Sequence, residues 1–183
     1  MSMPAQSLPA RNIPQDSAVY APLSEAERRA LEDFIFHEAE LADESRYDEW
    51  EALLTDDAEY CIPAGDGTDD SPFAPSIAND NRSRLATRLR QLRTGTRISQ
   101  VPVSELSRVI TNMRMLRTAA DEYEVRANFV LHEYQLQSLN EVIVWPGRVL
   151  YRIRHTSEGL RLRGKTVWLV NRSGPLPSLC FLI

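Results

Sequence analysis

Apolar residues recur at helical spacing through Leu31, Phe34, Ile35, Ala39 and Ala42, which predicts an amphipathic helix. Ser24 followed by Glu27 is a capping box, in which each side chain satisfies a backbone donor left free at a helix start. After a tight acidic bend, Tyr47, Trp50, Leu53 and Leu54 continue the spacing and predict a second, shorter helix that Asp56 and Asp57 stop. Residues 58–62 then read as a strand closed by Pro63. Residues 64–79 carry Gly, Pro and Asp and are expected to be loop, held to the body by Phe73 and Ile77. Asp80 is the expected N-cap of a third helix. Leu85, Leu89 and Leu92 are its expected buried edge and Gly95 its end.

The second half alternates with period two over 109–116, 123–136, 142–154 and 160–171, which predicts four long strands. Three apolar residues together, Phe129, Val130 and Leu131, suggest a change of phase and a bulge. Pro146 and Gly147 suggest a second bend or bulge. Helices gathered ahead of long strands define an α+β domain with a strongly curved antiparallel sheet covered by N-terminal helices. Residues 1–22, with Pro4, Pro9, Pro14 and Pro22, are expected to be an extended proline-rich arm, and 23–183 a single domain without internal repeats.

Composition narrows the function classes. The chain of 183 residues has a net charge of -5, which argues against a general nucleic-acid binder. No apolar run approaches the roughly 20 residues of a membrane span. The N-terminus lacks the basic opening and apolar core of a secretory signal, so a cytoplasmic protein is expected. Cys61 and Cys180 are too few for a disulfide framework and are expected to be buried free thiols. There is no Gly-x-Ser-x-Gly nucleophile elbow and no glycine-rich phosphate loop.

Three charged or apolar groupings stand out. The third helix carries Arg82, Arg84, Arg88, Arg90 and Arg93 with no acid after Asp80, which fits either a solvated face or an acidic partner surface. Arg152, Arg154, Arg161, Arg163 and Lys165 fall on facing strands of one hairpin, where like charges are costly unless solvated or matched by acids. The last residues include Leu179, Phe181, Leu182 and Ile183, whose burial is worth on the order of 6–12 kcal/mol at most. They are expected to pack as a last strand or in an intersubunit seam.

The segment holding Asp43, Glu44, Tyr47, Asp48, Trp50, Asp56 and Asp57 resembles the opening of the small (β) subunits of Rieske-type aromatic-ring-hydroxylating oxygenases. The likeness continues through Asp80, Arg82 and Arg93, then Gly95, Gln100, Pro102 and Ser104, then Thr111-Asn112. Tyr123, Val125, Arg126 and Asn128 extend it, and Leu176 to Ile183 are similar to the family's Leu-Pro-Asn-Leu-Ser-Phe-Leu ending. It spans residues 24–183. The sequence departs from the family at Asn171, Arg172 and Ser173, where an acid is usual, and at Ser107-Arg108, where Arg-Arg or Arg-His is common. Relatives contact their large subunit in these regions, so the partner surface is expected to be specialised.

The resemblance implies the cone fold of nuclear transport factor 2, scytalone dehydratase and ketosteroid isomerase. It also implies a non-catalytic subunit of an NAD(P)H-dependent dioxygenase of aromatic catabolism. The partner would be a large (α) subunit in an α3β3 hexamer, served by a reductase and in some systems a ferredoxin. The Rieske [2Fe-2S] cluster and mononuclear Fe(II) would lie in that large subunit. A Rieske cluster takes two cysteines and two histidines, usually as Cys-x-His and Cys-x-x-His, and this chain has neither motif. Two histidines and a carboxylate for mononuclear iron would have to come from His37, His132 and His155, which are isolated from one another. Expected interface residues are Arg82, Arg84, Arg88 and Arg90, with Leu179, Phe181, Leu182 and Ile183. A rival reading is a stand-alone dehydratase or isomerase, with Asp43 or Asp48 and His132 as a general-base dyad inside the cone. A third is a scaffold whose cone binds a ligand without chemistry.

Overall fold

Ser24 caps helix α1 (Glu25–Asp43) as expected: its hydroxyl oxygen accepts from the Glu27 amide, and the Glu27 carboxylate accepts from the Ser24 amide at 2.8 Å. The computed structural model describes residues 22–65, 75–94, 102–136 and 140–183. Of the expected arm only Pro22 lies among them; Phe73, Gly95 and Gln100 fall outside. Leu31, Ile35, Ala39 and Ala42 are buried along one face of α1. Ser45, at φ 57°, reverses the chain into helix α2 (Tyr47–Ala52), which buries Tyr47 and Trp50.

Three boundaries differ from the sequence reading. Strand β1 (Leu54–Pro63) begins at Leu54, so Asp56 and Asp57 lie in the strand with exposed side chains and do not end the helix. Strand β2 (Ser76–Asn81) occupies the end of the expected loop and pairs antiparallel with β1. The N-cap of helix α3 (Arg82–Arg93) is Asn81, whose carboxamide oxygen accepts from the Arg84 amide at 3.0 Å. Asp80 sits one residue too early for that role and instead binds Arg88 at 2.5 Å.

The four long strands are β3 (Glu105–Ala119), β4 (Glu122–Gln135), β5 (Glu141–Thr156) and β6 (Gly159–Leu169). The six-stranded sheet runs β2-β1-β6-β5-β4-β3. All neighbours are antiparallel except β1 and β6, which are parallel. The expected bulge at 129–131 is absent: β4 keeps register with both neighbours there. Tyr123, Val125, Ala127, Phe129 and Leu131 all face the core, and Val130 is simply an apolar residue on the outer face. Nor does register shift at Gly147. A Cβ there would stand 2.5 Å from the Phe129 ring, so glycine is required by close packing. Register does shift in β3 between Thr111 and Arg114, where Asn112 takes φ 55°, and in β6, where Arg163 is the extra residue opposite Arg152 and Ile153. Such bulges bend a sheet toward the cone form.

Candidate functional site

The inner face of the sheet and helix α1 enclose the cone interior. Two acids enter it, neither singled out by the sequence reading. Glu38 follows Ile35 on the buried face of α1 and is 0% exposed. Its Oε1 accepts from Trp50 Nε1 at 2.6 Å and from Lys165 Nζ at 2.7 Å, while Oε2 has no hydrogen-bond partner among the described residues. Lys165, grouped from sequence with the exposed arginines, alternates inward with Val167 and Leu169 and is 1% exposed. Its ammonium lies 5.3 Å from the Tyr151 ring centroid. Burial lowers its pKa to about 8, against the opposing pull of Glu38. Glu133 is the second interior acid: it accepts from Trp145 Nε1 at 3.0 Å and Ser104 Oγ at 2.9 Å. Each interior carboxylate is thus met by an indole N–H. The signal in sequence was a charge at an inward position of an otherwise apolar period.

The last three residues fill the same space. Phe181, Leu182 and Ile183 are buried in this chain's own core, and they form no strand. Phe181 packs edge-on against Trp145 at 5.8 Å, Tyr60 Oη meets both the Ile183 amide and its carbonyl oxygen, and Arg108 donates to the Leu182 carbonyl at 3.0 Å. Leu179 and Cys180 are half-buried, as is Cys61. Burial and the Glu59 carboxylate push the Cys61 thiol pKa up. The cavity bounded by Arg108, Phe129, Tyr151, Lys165 and Ile183 has about 10 Å³ of free volume. That is room for one water, where small-molecule sites measure about 300–1,000 Å³.

The residues of the dyad reading do not come together. His132 points from the outer face of β4 and is exposed. Asp43 is held by Arg108, through Nε at 2.7 Å and the backbone amide at 3.1 Å. Asp48 is 87% exposed and pairs with Arg93 at 2.9 Å. The three histidines also lie apart: His37 is on exposed α1 surface beside Glu40, and His155 is exposed near the end of β5. Among the described residues no three His, Cys, Asp or Glu side chains converge as a metal site. The donor sets of a Rieske cluster or a two-histidine iron site do not fit this chain.

The surface cations are largely matched by acids. Arg82 and Arg93 of α3 both reach Glu51 of α2, at 2.8 and 2.5 Å. Among the described residues, Arg84 and Arg90 are exposed and make hydrogen bonds to the Asn79 carbonyl and Thr87 hydroxyl but no ion pair. Arg154 and Arg163 share Asp57 and Glu122, Arg152 lies 3.8 Å from Glu124, and Arg161 meets Glu158. Asp57 is held at a pKa of about 2, chiefly by the Arg154 guanidinium.

These features define a cone-shaped α+β protein of the class that includes ketosteroid isomerase. A ketosteroid isomerase-like protein from Erwinia carotovora superposes with a TM-score of 0.54 at 15% identity, covering 80% of this chain and 98% of that one. The chain belongs to the ring hydroxylating beta subunit family, whose model matches residues 37–173. It is 31% identical over 160 residues to the small oxygenase component of the p-cumate 2,3-dioxygenase system of Pseudomonas putida, covering 85% of this chain and 83% of the relative. The β subunit of benzoate 1,2-dioxygenase from Burkholderia mallei superposes with a TM-score of 0.70 at 22% identity, over 89% of this chain and 100% of that one. No described helix is long and apolar enough to cross a membrane.

Proposed function

We propose that this chain is a non-catalytic organiser of a multicomponent aromatic-ring-hydroxylating oxygenase. It assembles with large, iron-bearing subunits, three of each in a hexamer, in the cytoplasm. The observation that carries the reading is the filled cone: with Ile183 and the Lys165–Glu38 pair packed inside it, the interior cavity keeps about 10 Å³, far less than a small-molecule site needs. Family membership supplies the setting. The Rieske cluster and mononuclear iron belong to the large subunit, and reducing equivalents from NADH or NADPH reach it through a reductase, with or without a ferredoxin. The aromatic substrate is chosen by the large subunit's pocket. In this role the small subunit fixes how the large subunits face one another.

The test is metal analysis after co-expression with a large oxygenase chain, to be sought in the adjacent reading frame. That chain is recognisable by Cys-x-His and Cys-x-x-His. The complex is expected to carry iron and turn over, while this chain purified alone carries none and hydroxylates nothing. Stoichiometric iron on the isolated chain overturns the reading. The rival dyad is tested by His132→Ala in the assembled oxygenase, where activity within a few-fold of wild type is expected; a loss of several orders of magnitude favours the stand-alone mechanism.

A further inference from the structure

On the sheet face opposite the core, strand pairing sets outward side chains in rows. Val109 stands across from Val130, and Val130 from Pro146. The adjoining rows are Ser107, His132 and Val144, then Glu105, Tyr134 and Val142. Val109, Val142 and Val144 are 57%, 58% and 49% exposed. Val170, 69% exposed, joins the patch by donating its amide to the Pro146 carbonyl at 3.0 Å. Contiguous apolar surface of this kind marks an interaction site.

On the other side of the valines the rows become basic. Asn128 pairs with Arg148, and Arg114 stands directly opposite Arg126. Arg126 meets Glu124 only at 3.5 Å, and Arg114 and Arg148 make no ion pair or hydrogen bond among the described residues. Like charges facing each other across strands are destabilising, so this arrangement costs the isolated chain and is relieved by an acidic neighbour. Elsewhere on the same face Arg154 is matched closely, by Asp57 at 3.0 Å and Glu122 at 2.9 Å, and Glu124 is shared between Arg126 and the more distant Arg152.

We propose that this face docks the large oxygenase subunit, the valine rows taking an apolar surface and Arg114, Arg126 and Arg148 an acidic one. The proposal rests on the preceding reading that such a subunit is the partner. A second copy of this chain is the poorer occupant. Across a two-fold axis the same patch meets itself, which turns Arg114 and Arg148 toward one another, while Glu122 and Glu124 on this face already meet Arg154, Arg126 and Arg152.

The test measures association of the purified chain with the co-expressed large subunit, for wild type, Arg114→Glu/Arg148→Glu, and Val144→Lys. Val144→Ser serves as a milder form of the last, and Glu32→Lys on the exposed side of α1 as a control. Urea midpoints of the isolated variants should not fall below wild type, since the altered side chains are exposed and Arg114→Glu removes the like charge facing Arg126. The double charge reversal and Val144→Lys are each expected to weaken association by about 30-fold or more. The charge reversal should also flatten the dependence on salt, and Glu32→Lys should change nothing. Folded variants that bind within threefold of wild type overturn the inference while leaving the subunit reading intact. A wild-type chain that binds no large subunit overturns that reading and the inference with it. A self-associated wild type made monomeric by the variants, with large-subunit affinity unchanged, assigns the face to a second copy and overturns the inference.

Discussion

Lys165 and Glu38 are a buried pair in which each charge depends on the other. Breaking such a pair from one side leaves an uncompensated charge and typically costs about 3–5 kcal/mol, whereas replacing both members with apolar or neutral groups is often neutral or better. Lys165→Met is therefore expected to lower the urea midpoint sharply, and Glu38→Gln/Lys165→Met to recover most of it. The pH dependence has a defined sign. With its pKa lowered from 10.5 to about 8, Lys165 binds fewer protons folded than unfolded between those values. Its penalty is present in full below about pH 8 and is relieved as pH rises toward 10.5. Burial raises the pKa of Tyr60 and Tyr151 above the usual 10, so their contribution is lost above pH 10. Wild type should thus gain stability between pH 8 and 10 relative to the double variant. A flat difference between the two curves would show that Lys165 titrates normally. At Gly147 the constraint is steric: Gly147→Ala is expected to cost about 1–3 kcal/mol by driving the Phe129 ring from its place, measured by the same denaturation.

At the scale of elements, the arginine helix shows what a local reading of sequence loses. Within 82–93 no acid follows Asp80, yet Glu51 and Asp48 arrive from α2 and Asp80 from the adjoining strand. These partners are 31 or more residues away for Glu51, so no helical spacing reveals them. Glu51→Gln should destabilise the domain by about 1 kcal/mol and make its midpoint less sensitive to salt, because two guanidiniums lose one carboxylate. Of the arginines proposed for an interface, Arg84 and Arg90 probe it cleanly, whereas Arg82 and Arg88 also hold the fold. Asn81→Ala should cost about 1 kcal/mol through loss of the helix cap. Helix α1, its capping box and the four long strands were legible because strong periodicity and capping chemistry are local. Strand β2 was not: six residues of Ser, Ile, Ala, Asn and Asp at a sheet edge carry little strand propensity. The apparent phase change in β4 came from Val130, an apolar residue where alternation calls for a polar one. That blur has a physical source, since Val130 belongs to the exposed valine rows.

For the molecule as a whole, family and cone architecture were readable in the order of modest motifs, while the state of the interior was not. Whether a cone is a pocket or a packed core depends on which charges alternate inward and on where the final residues go, both set by tertiary structure. Deleting Leu179 to Ile183 should strip Phe181 from Trp145 and Ile183 from Tyr60, giving insoluble protein or no assembly; a soluble truncation that supports a fully active oxygenase would show the segment to be dispensable. The parallel seam between β1 and β6 has a consequence for how the protein is made. The chain emerges from the ribosome N-terminus first, yet β1 and β2 can join the main sheet only through a strand some 100 residues later. Until β6 is synthesised, β1 and β2 have no partner strand through which to join the main sheet. Pairings so distant in sequence fold slowly, on the order of milliseconds to seconds. Nascent chains arrested before residue 159 should therefore stay protease-sensitive and bind holdase chaperones, and protection should appear abruptly once Gly159–Leu169 has cleared the exit tunnel.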